Sequence, residues 1–234
     1  MDVRTTNLPE LGVRLPTGGE LNRLNEHARC NSRRKSVPVM DLVRAHRPAD
    51  PEVLRVLIEN HHHRKCRHCD CRSMGTVEQF ATNLYNAQFE RGAGLQKRYT
   101  WDECYNFQYT LFCVAPLRGR AMEEASMAEF VKAIKEHDGF VGLKCREATR
   151  KEDFEYAVDF VVVDSCGAPV LGVQTKPASF LHRADVLQQN RDKQARFNAP
   201  VVFHVYDRSG TFSPAAATTL TQHGPYSSTS SSAE

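Results

Sequence analysis

Long hydrophobic runs are missing from the sequence. Within its 234 residues, no apolar stretch approaches the roughly 18 residues that a membrane-spanning helix needs. The first residues, MDVRTTNLPELGV, contain no apolar core of a signal peptide, so we expect a cytoplasmic protein without a membrane partner. In that compartment the eight cysteines are expected to be reduced thiols or metal ligands rather than a disulfide framework.

A large net charge is missing as well, because the formal value at pH 7 is +3. The charge is unevenly distributed. Between Arg29 and Arg98 there are 14 Lys and Arg against 7 Asp and Glu, which leaves +7 in this segment and −4 elsewhere. Such a basic segment favours a polyanionic partner, although an ordinary basic surface explains the same charge equally well.

Internal repeats are also absent, and the pattern of apolar residues divides the chain into parts. A hydrophobic content of 41% and a charged content of 25% are typical of a globular chain, and the length suffices to bury a core without disulfides. We predict an N-terminal arm, a helical basic region, a region of strands and helices, and a disordered tail rich in Ser, Thr and Ala, over residues 1–20, 21–117, 118–210 and 211–234.

Three helix signals lie in the first 140 residues. Asp50-Pro51 combines an N-cap residue with proline at the first helical position. Thr76 and Gln79 have the spacing of a capping box. An amphipathic pattern predicts a third helix from Ala121 to Glu136.

Strand patterns follow after Gly139. The segments GFVGLKC, AVDFVVVD, VLGVQTK and PVVFHVYD are rich in β-branched and aromatic residues, and a polar helix over 184–197 precedes the last of them. The order of helix, three strands, helix and strand predicts an α/β domain with a mixed sheet flanked by helices, following a mostly helical N-terminal half.

The second and third predicted strands form a hairpin around the turn SCGAP. If the turn is centred near Gly167, paired residue numbers sum to about 334, so that Val170 faces Asp164 and Thr175 faces Asp159. This register places polar residues at one end of an otherwise apolar hairpin. We expect Asp159 to lie beside Gln174 and Lys176.

The polar end of this hairpin has two explanations. A buried aspartate and lysine are costly unless they pair, so Asp159 and Lys176 could form a structural ion pair. Alternatively, the Asp159 carboxylate and the Gln174 amide oxygen are hard ligands of the kind that Mg²⁺ accepts. Lys176 could then orient an attacking water or stabilise negative charge on a phosphate.

The hairpin resembles the motif of the PD-(D/E)XK nuclease superfamily, an Asp on one strand and a Glu/Asp/Gln-X-Lys triplet on the next. Asp159 matches the Asp, and Gln174-Thr175-Lys176 matches the triplet. Val158 stands where the motif has proline, and Gln174 replaces the usual acid with a neutral ligand. The resemblance covers residues 118–206 and implies a restriction-endonuclease-like core. The segment LGVQTKPASF with the later PVVFHVYD is similar to type II restriction endonucleases, in particular the MjaI-like group.

A neutral ligand makes a second carboxylate necessary, and the helix before the strands can provide it. Helical spacing places Glu123 on the face of Met127, Phe130 and Ile134, whereas Glu124 falls on another face. We therefore expect Glu123 to complete the Mg²⁺ site. A solvated glutamate is the plain alternative, and other acids could substitute: Glu124, Glu129, Glu152 and Glu155.

The segment NHHHRKCRHCDCRS, residues 60–73, concentrates histidine and cysteine. Cys66 and Cys69 have the spacing of half a zinc knuckle. Local candidates to complete a structural Zn²⁺ site are Cys71, His61 and His63, and distant ones are Cys30, Cys104 and Cys113. Reduced thiols on a solvated loop explain the segment equally well. His182 and His204 are expected to be packing or surface residues.

Basic residues accompany this segment and could neutralise DNA phosphates; the candidates are Arg33, Arg34, Lys35, Arg64, Lys65, Arg67, Arg72, Lys97 and Arg98. The resemblance implies a Mg²⁺-dependent type II restriction endonuclease that hydrolyses double-stranded DNA at a short specific site, acting as a homodimer. Two other functions are compatible with the residues: a repair or recombination nuclease of the same superfamily, and a non-catalytic, zinc-containing nucleic-acid-binding protein.

Overall fold

The computed structural model describes residues 19–27, 37–63, 71–90, 95 and 97–223. These residues fall into two compact units that divide between Arg118 and Gly119. None of the helices in the described ranges has the length and apolar content needed to cross a bilayer.

The N-terminal unit is helical, as predicted. Its helices are α1 (Glu20–His27), α2 (Val39–His46), α3 (Pro51–His63), α4 (Val77–Ala87) and α5 (Trp101–Tyr109), followed by a π-helical segment (Thr110–Val114) and by α6 (Ala115–Glu136), which continues into the second unit. Two apolar clusters hold the unit together. One is centred on Leu54 and Phe80, and the other on Leu24 and Leu84.

Both helix starts predicted for this unit are confirmed. Asp50 Oδ1 accepts hydrogen bonds from the backbone N–H groups of Glu52 and Val53, each at 2.9 Å. Thr76 and Gln79 form the reciprocal capping box before α4. Helix α5 was not predicted, although its start at Thr100 has the same kind of capping box. Helix α6 was predicted to begin at Ala121 but begins six residues earlier.

The C-terminal unit is built on a five-stranded mixed sheet. Its strands are β1 (Lys144–Glu147), β2 (Phe160–Val163), β3 (Pro169–Pro177), β4 (Val201–Tyr206) and β5 (Phe212–Ser213), in spatial order β1-β2-β3-β4-β5. The neighbours β1, β2 and β3 are antiparallel, β4 is parallel to β3, and β5 is antiparallel to β4. Helices α7 (Arg150–Tyr156), α8 (Ala184–Gln194) and α9 (Ala216–His223) complete the unit. A mixed α/β fold is therefore confirmed.

The two faces of the sheet bury different residues. On one face, Phe160 and Val173 pack with Phe130 of α6 and Leu220 of α9. On the other, Val161 and Val163 belong to a smaller cluster with Val158, Phe197 and Val201. Successive side chains of β2 point alternately into these two clusters, so all four residues of the strand are buried. This pattern is typical of a strand covered on both faces.

The predicted hairpin register is wrong by one residue. Phe160 pairs with Val173 and Val162 with Leu171, so the residue numbers sum to 333 rather than 334. The pairing shifts between Val162 and Val163, because the turn is not symmetric and Asp164 Oδ1 accepts two of its backbone N–H groups. Continued by one position, the observed register brings Asp159 level with Gln174, on the same side of the sheet.

The prediction of a disordered tail from residue 211 is wrong for residues 211–223. Strand β5 pairs with Val205 and Tyr206 of β4. Helix α9 then buries Ala216 and Leu220 in the core cluster that covers one face of the sheet, and Thr219 is buried as well. The Ser/Thr/Ala-rich composition concealed these few apolar positions, whose helical spacing is sufficient for packing. Residues 224–234 lie outside the described part of the chain.

Packing of α9 predicts that truncation of Leu220 destabilises the protein. Leu220 is 1% exposed, so Leu220→Ala should lower the free energy of unfolding by about 2–5 kcal/mol. Urea unfolding measures the change. The exposed neighbour Gln222 provides the control, since Gln222→Ala should change stability by less than about 0.5 kcal/mol. Equal effects of both substitutions would mean that α9 does not belong to the core.

Candidate active site and metal centre

Asp159 lies where α7 gives way to β2. Helix α7 ends at Tyr156, and its C-cap residue Ala157 has a left-handed backbone with φ of 53° that turns the chain into the sheet. The Asp159 N–H donates to the Val173 carbonyl at 2.9 Å, and its Oδ2 accepts the Thr175 N–H at 2.7 Å. The carboxylate therefore takes the place of a backbone acceptor beside β3. Only 6% of this side chain is exposed.

Lys176 is brought to Asp159 as the sequence predicted. Its Nζ lies 3.8 Å from Asp159 Oδ2, and 26% of the lysine side chain is exposed. The ammonium group can therefore contact both the buried carboxylate and a molecule arriving from solvent. This arrangement suits either a structural ion pair or a catalytic lysine.

Glu123 of α6 interacts electrostatically with Asp159 and Lys176. Its side chain is 22% exposed, compared with 58% for Glu124. Burial, and then the negative charge of Asp159, raise the pKa of Glu123 to about 7, while the charges of Lys176 and Arg120 act in the opposite direction. The structure thus brings Glu123, Asp159 and Lys176 within electrostatic range of one another.

The other glutamates considered for this position have different partners or are exposed. Glu124 pairs with Arg120 at 2.8 Å, and Glu129 lies 3.7 Å from His204 Nε2. Glu152 caps α7 and pairs with Arg146, which lowers its pKa to about 2. Glu155 is exposed. The charge of Asp159 raises the pKa of Glu123, which makes Glu123 the candidate for this position.

Gln174 forms hydrogen bonds with two residues of α8. These contacts were not predicted from the sequence. Gln174 Nε2 donates to Asn190 Oδ1 at 3.1 Å, and Gln174 Oε1 accepts from Gln194 Nε2 at 2.9 Å. The chain of amides is anchored at the Val186 carbonyl, which accepts from Asn190 Nδ2, and at Ala157, whose carbonyl accepts from Gln194 Nε2. Carbonyls only accept, so the orientation of all three amides follows. The i, i+4 spacing of Asn190 and Gln194 places both amides on one face of the helix, and this spacing was the sequence signal that could have indicated the contact with Gln174.

The carboxylates have the chemistry of a divalent cation site. Mg²⁺ is commonly bound through one or two carboxylates, with water completing the coordination. Glu123 and Asp159 provide two, and a cation would offset the repulsion that raises the pKa of Glu123. Within the described ranges there is no group of three or more His, Cys, Asp or Glu able to hold a metal ion. A cation here would therefore also need water, backbone or the remaining lone pair of Gln174 Oε1.

The predicted zinc ligands are only partly described. Cys66, Cys69 and the His63 side chain lie outside the described residues. His61 is buried, and its Nδ1 is 2.6 Å from the Leu57 carbonyl. Cys71 packs at the edge of the cluster around Leu54. The distant candidates Cys104 and Cys113 are buried in the helical unit, where burial raises their thiol pKa values to about 11 and about 12, and Cys30 lies outside the described residues.

Three of the nine predicted phosphate-binding residues are described. Arg72 is exposed. Lys97 pairs with Glu103 at 3.0 Å, and the Arg98 guanidinium lies 4.9 Å from the centre of the exposed Phe89 ring. The other six lie outside the described part of the chain: Arg33, Arg34, Lys35, Arg64, Lys65 and Arg67.

Comparisons with protein-family models, with curated proteins and with solved structures find no match to this chain.

The hydrogen bonds among the Gln174, Asn190 and Gln194 amides predict that Gln174→Glu destabilises the protein when EDTA removes divalent cations. A carboxylate would face Asn190 Oδ1, which cannot turn away without losing its contact with Val186, so stability should fall by about 1–3 kcal/mol. Urea unfolding measures the loss, with Gln189→Glu at an exposed position of α8 as the control. A Gln174→Glu protein as stable as the control variant would show that the amide chain is not a tight constraint.

Glu123 predicts a pH dependence of stability. Its pKa is about 7 in the folded protein against an ordinary value of 4.5. Between these values the folded state binds more protons than the unfolded state, so this group's contribution to stability falls as pH rises. Glu123→Gln should therefore gain stability relative to the parent protein across this window. Urea unfolding in EDTA at several pH values measures the difference, with the exposed Glu124→Gln as control. A difference that does not change with pH would contradict the burial of Glu123 beside Asp159.

Proposed function

We propose that the protein is a Mg²⁺-dependent type II restriction endonuclease of the PD-(D/E)XK superfamily, hydrolysing double-stranded DNA at a short specific site. The observation that carries the proposal is the convergence of Glu123, Asp159 and Lys176 at one end of a largely apolar hairpin. Apart from α7, which lies between β1 and β2, the order of α6, three antiparallel strands, α8 and a parallel strand is the order that the resemblance implies, and this supports the proposal.

Each residue has a defined part in this reaction. Asp159 and Glu123 would hold Mg²⁺, which supplies Lewis-acid activation of water and of the phosphate. The Thr175 N–H fixes the orientation of the Asp159 carboxylate. Lys176, charged and partly exposed beside that carboxylate, would orient the attacking water or stabilise the developing negative charge. Glu123 must lose its proton to bind a cation, so occupancy of the site should increase with pH.

Gln174 has a double part in this proposal. Its Oε1 would be a weak, neutral ligand for the cation while still accepting the hydrogen bond from Gln194. Its Nε2 holds Asn190 of α8 at the same time. The neutral amide is compatible with the acceptor Asn190 Oδ1, and a carboxylate is not. This difference gives a physical reason for glutamine at the position where the motif has an acid.

DNA contacts and assembly extend the proposal to the N-terminal half. The predicted basic residues, including Arg72 and Arg98, would bind phosphates, and the affinity would decrease with salt. A structural Zn²⁺ bound by Cys66 and Cys69 would stabilise the basic segment, residues 60–73, that contains them. Enzymes of this kind usually cut both strands of one site as homodimers, so we expect a homodimer.

A non-catalytic nucleic-acid-binding protein is the second candidate. One observation favours it: Asp159 already has two partners within the hairpin, the Thr175 N–H and Lys176. An ion pair of this kind can be structural. The two candidates differ in what they do to DNA in the presence of Mg²⁺.

Plasmid digestion distinguishes them. The parent protein with Mg²⁺ should produce discrete bands that EDTA abolishes. Asp159→Asn, Lys176→Met and Glu123→Gln should each lower the cleavage rate about a hundredfold or more. Lys132→Met, on the exposed side of α6, is the control and should cleave normally. Intact plasmid that is nevertheless bound tightly would support the binding protein, and a ladder at branched or damaged sites would support the repair nuclease.

A further inference from the structure

A buried hydrogen bond joins α6 to the sheet close to the candidate site. Ser126 Oγ and His204 Nδ1 are 2.7 Å apart, and both residues are fully buried. Ser126 lies on the same inward side of α6 as Glu123, three residues further along the helix. His204 lies on β4, level with Thr175 of β3. The bond therefore links the helix that carries Glu123 to the strands that hold Asp159.

The direction of this bond follows from the surroundings of His204. Nε2 lies 3.7 Å from the Glu129 carboxylate, and the Pro214 backbone, which can only accept, also interacts with the ring. Nε2 makes no hydrogen bond within the described residues, but these acceptors nearby favour a proton on it, and in that tautomer Nδ1 accepts from the Ser126 hydroxyl. Burial lowers the pKa of His204 to about 4, which keeps the ring neutral at physiological pH.

A second contact holds α6 on the other side of Glu123. Arg120 Nη2 lies 2.6 Å from Glu147 Oε1 of β1. Glu123 thus stands between two polar contacts to the sheet, at positions three residues before and three residues after it. The Arg120 contact involves an exposed glutamate, whereas the Ser126 contact is buried. A buried hydrogen bond constrains the helix more strongly, because breaking it leaves polar groups without a partner.

We propose that Ser126 and His204 are positioning residues, whose hydrogen bond fixes α6 on the sheet so that the Glu123 carboxyl lies beside Asp159 and Lys176. Their effect on the cation site rests on the proposed function, while the placement of α6 does not. Loss of a group that orients a ligand typically weakens metal binding about 10- to 100-fold.

Two substitutions of His204 separate hydrogen bonding from packing. His204→Phe preserves a ring that can stack on Phe212, at 4.5 Å in the structure, but removes the acceptor. His204→Asn removes the ring but retains an acceptor close to the position of Nδ1. A packing role predicts that Phe is the better replacement. The positioning role predicts that Asn is better, and that Ser126→Ala resembles His204→Phe.

The first measurement is amide hydrogen exchange at residues 120–127 of α6 in EDTA, corrected for global stability from urea unfolding. Exchange should accelerate in Ser126→Ala and His204→Phe and remain closer to the parent rate in His204→Asn. Ile134→Val is the control, because Ile134 packs on the same core without a polar contact. Unchanged exchange in Ser126→Ala, or slower exchange with Phe than with Asn, would overturn the proposal.

The second measurement is the Mg²⁺ dissociation constant by titration calorimetry. It should increase about 10- to 100-fold in Ser126→Ala and His204→Phe, less in His204→Asn, and remain unchanged in the control. If the parent protein binds no Mg²⁺ while hydrogen exchange changes as expected, the nuclease proposal fails and the placement of α6 by Ser126 and His204 is supported. If Mg²⁺ binds equally to all variants, the positioning proposal fails and the cation site stands.

Discussion

The contact between the Asp159 carboxylate and the Thr175 N–H is the constraint on which the candidate site depends. It fixes a nearly buried negative charge to the strand that also carries Lys176. A buried carboxylate is costly without partners, and here the backbone donor and the ammonium both reduce the cost. Because the two partners are adjacent in sequence on β3, alignment of the hairpin places the carboxylate and the ammonium together.

Helix α6 adds a second carboxyl group from a distant part of the chain. Glu123 has no neighbour in sequence among the hairpin residues, so its position depends on how α6 packs against the sheet. Once there, it faces Asp159 in a poorly solvated setting, and its proton is retained near neutral pH. Two carboxylates that repel each other would be stabilised by a cation more than either carboxylate would be alone.

Local sequence patterns predicted where helices begin more accurately than they predicted how the strands align with one another. The N-cap at Asp50 and the capping box at Thr76 have short-range causes, and both are present. The hairpin register depended on an irregular turn, where Asp164 accepts two backbone N–H groups and shifts the pairing by one residue. Helix α9 was missed because composition is an average, whereas burial of Leu220 depends on its position against the sheet.

The sequence by itself determined the α/β class, the order of α6, β1, β2, β3, α8 and β4 but not the presence of α7, β5 and α9, and the unusual pairing of Asp159 with Lys176 in an apolar hairpin. Periodicity and side-chain chemistry are local properties, so one chain suffices to read them. Helical spacing already favoured Glu123 over Glu124, but only the tertiary structure decided that Glu123 comes within electrostatic range of Asp159 and that the Gln174 amide is held by α8. Such choices depend on packing between elements that are far apart in sequence, because burial and charge act through space.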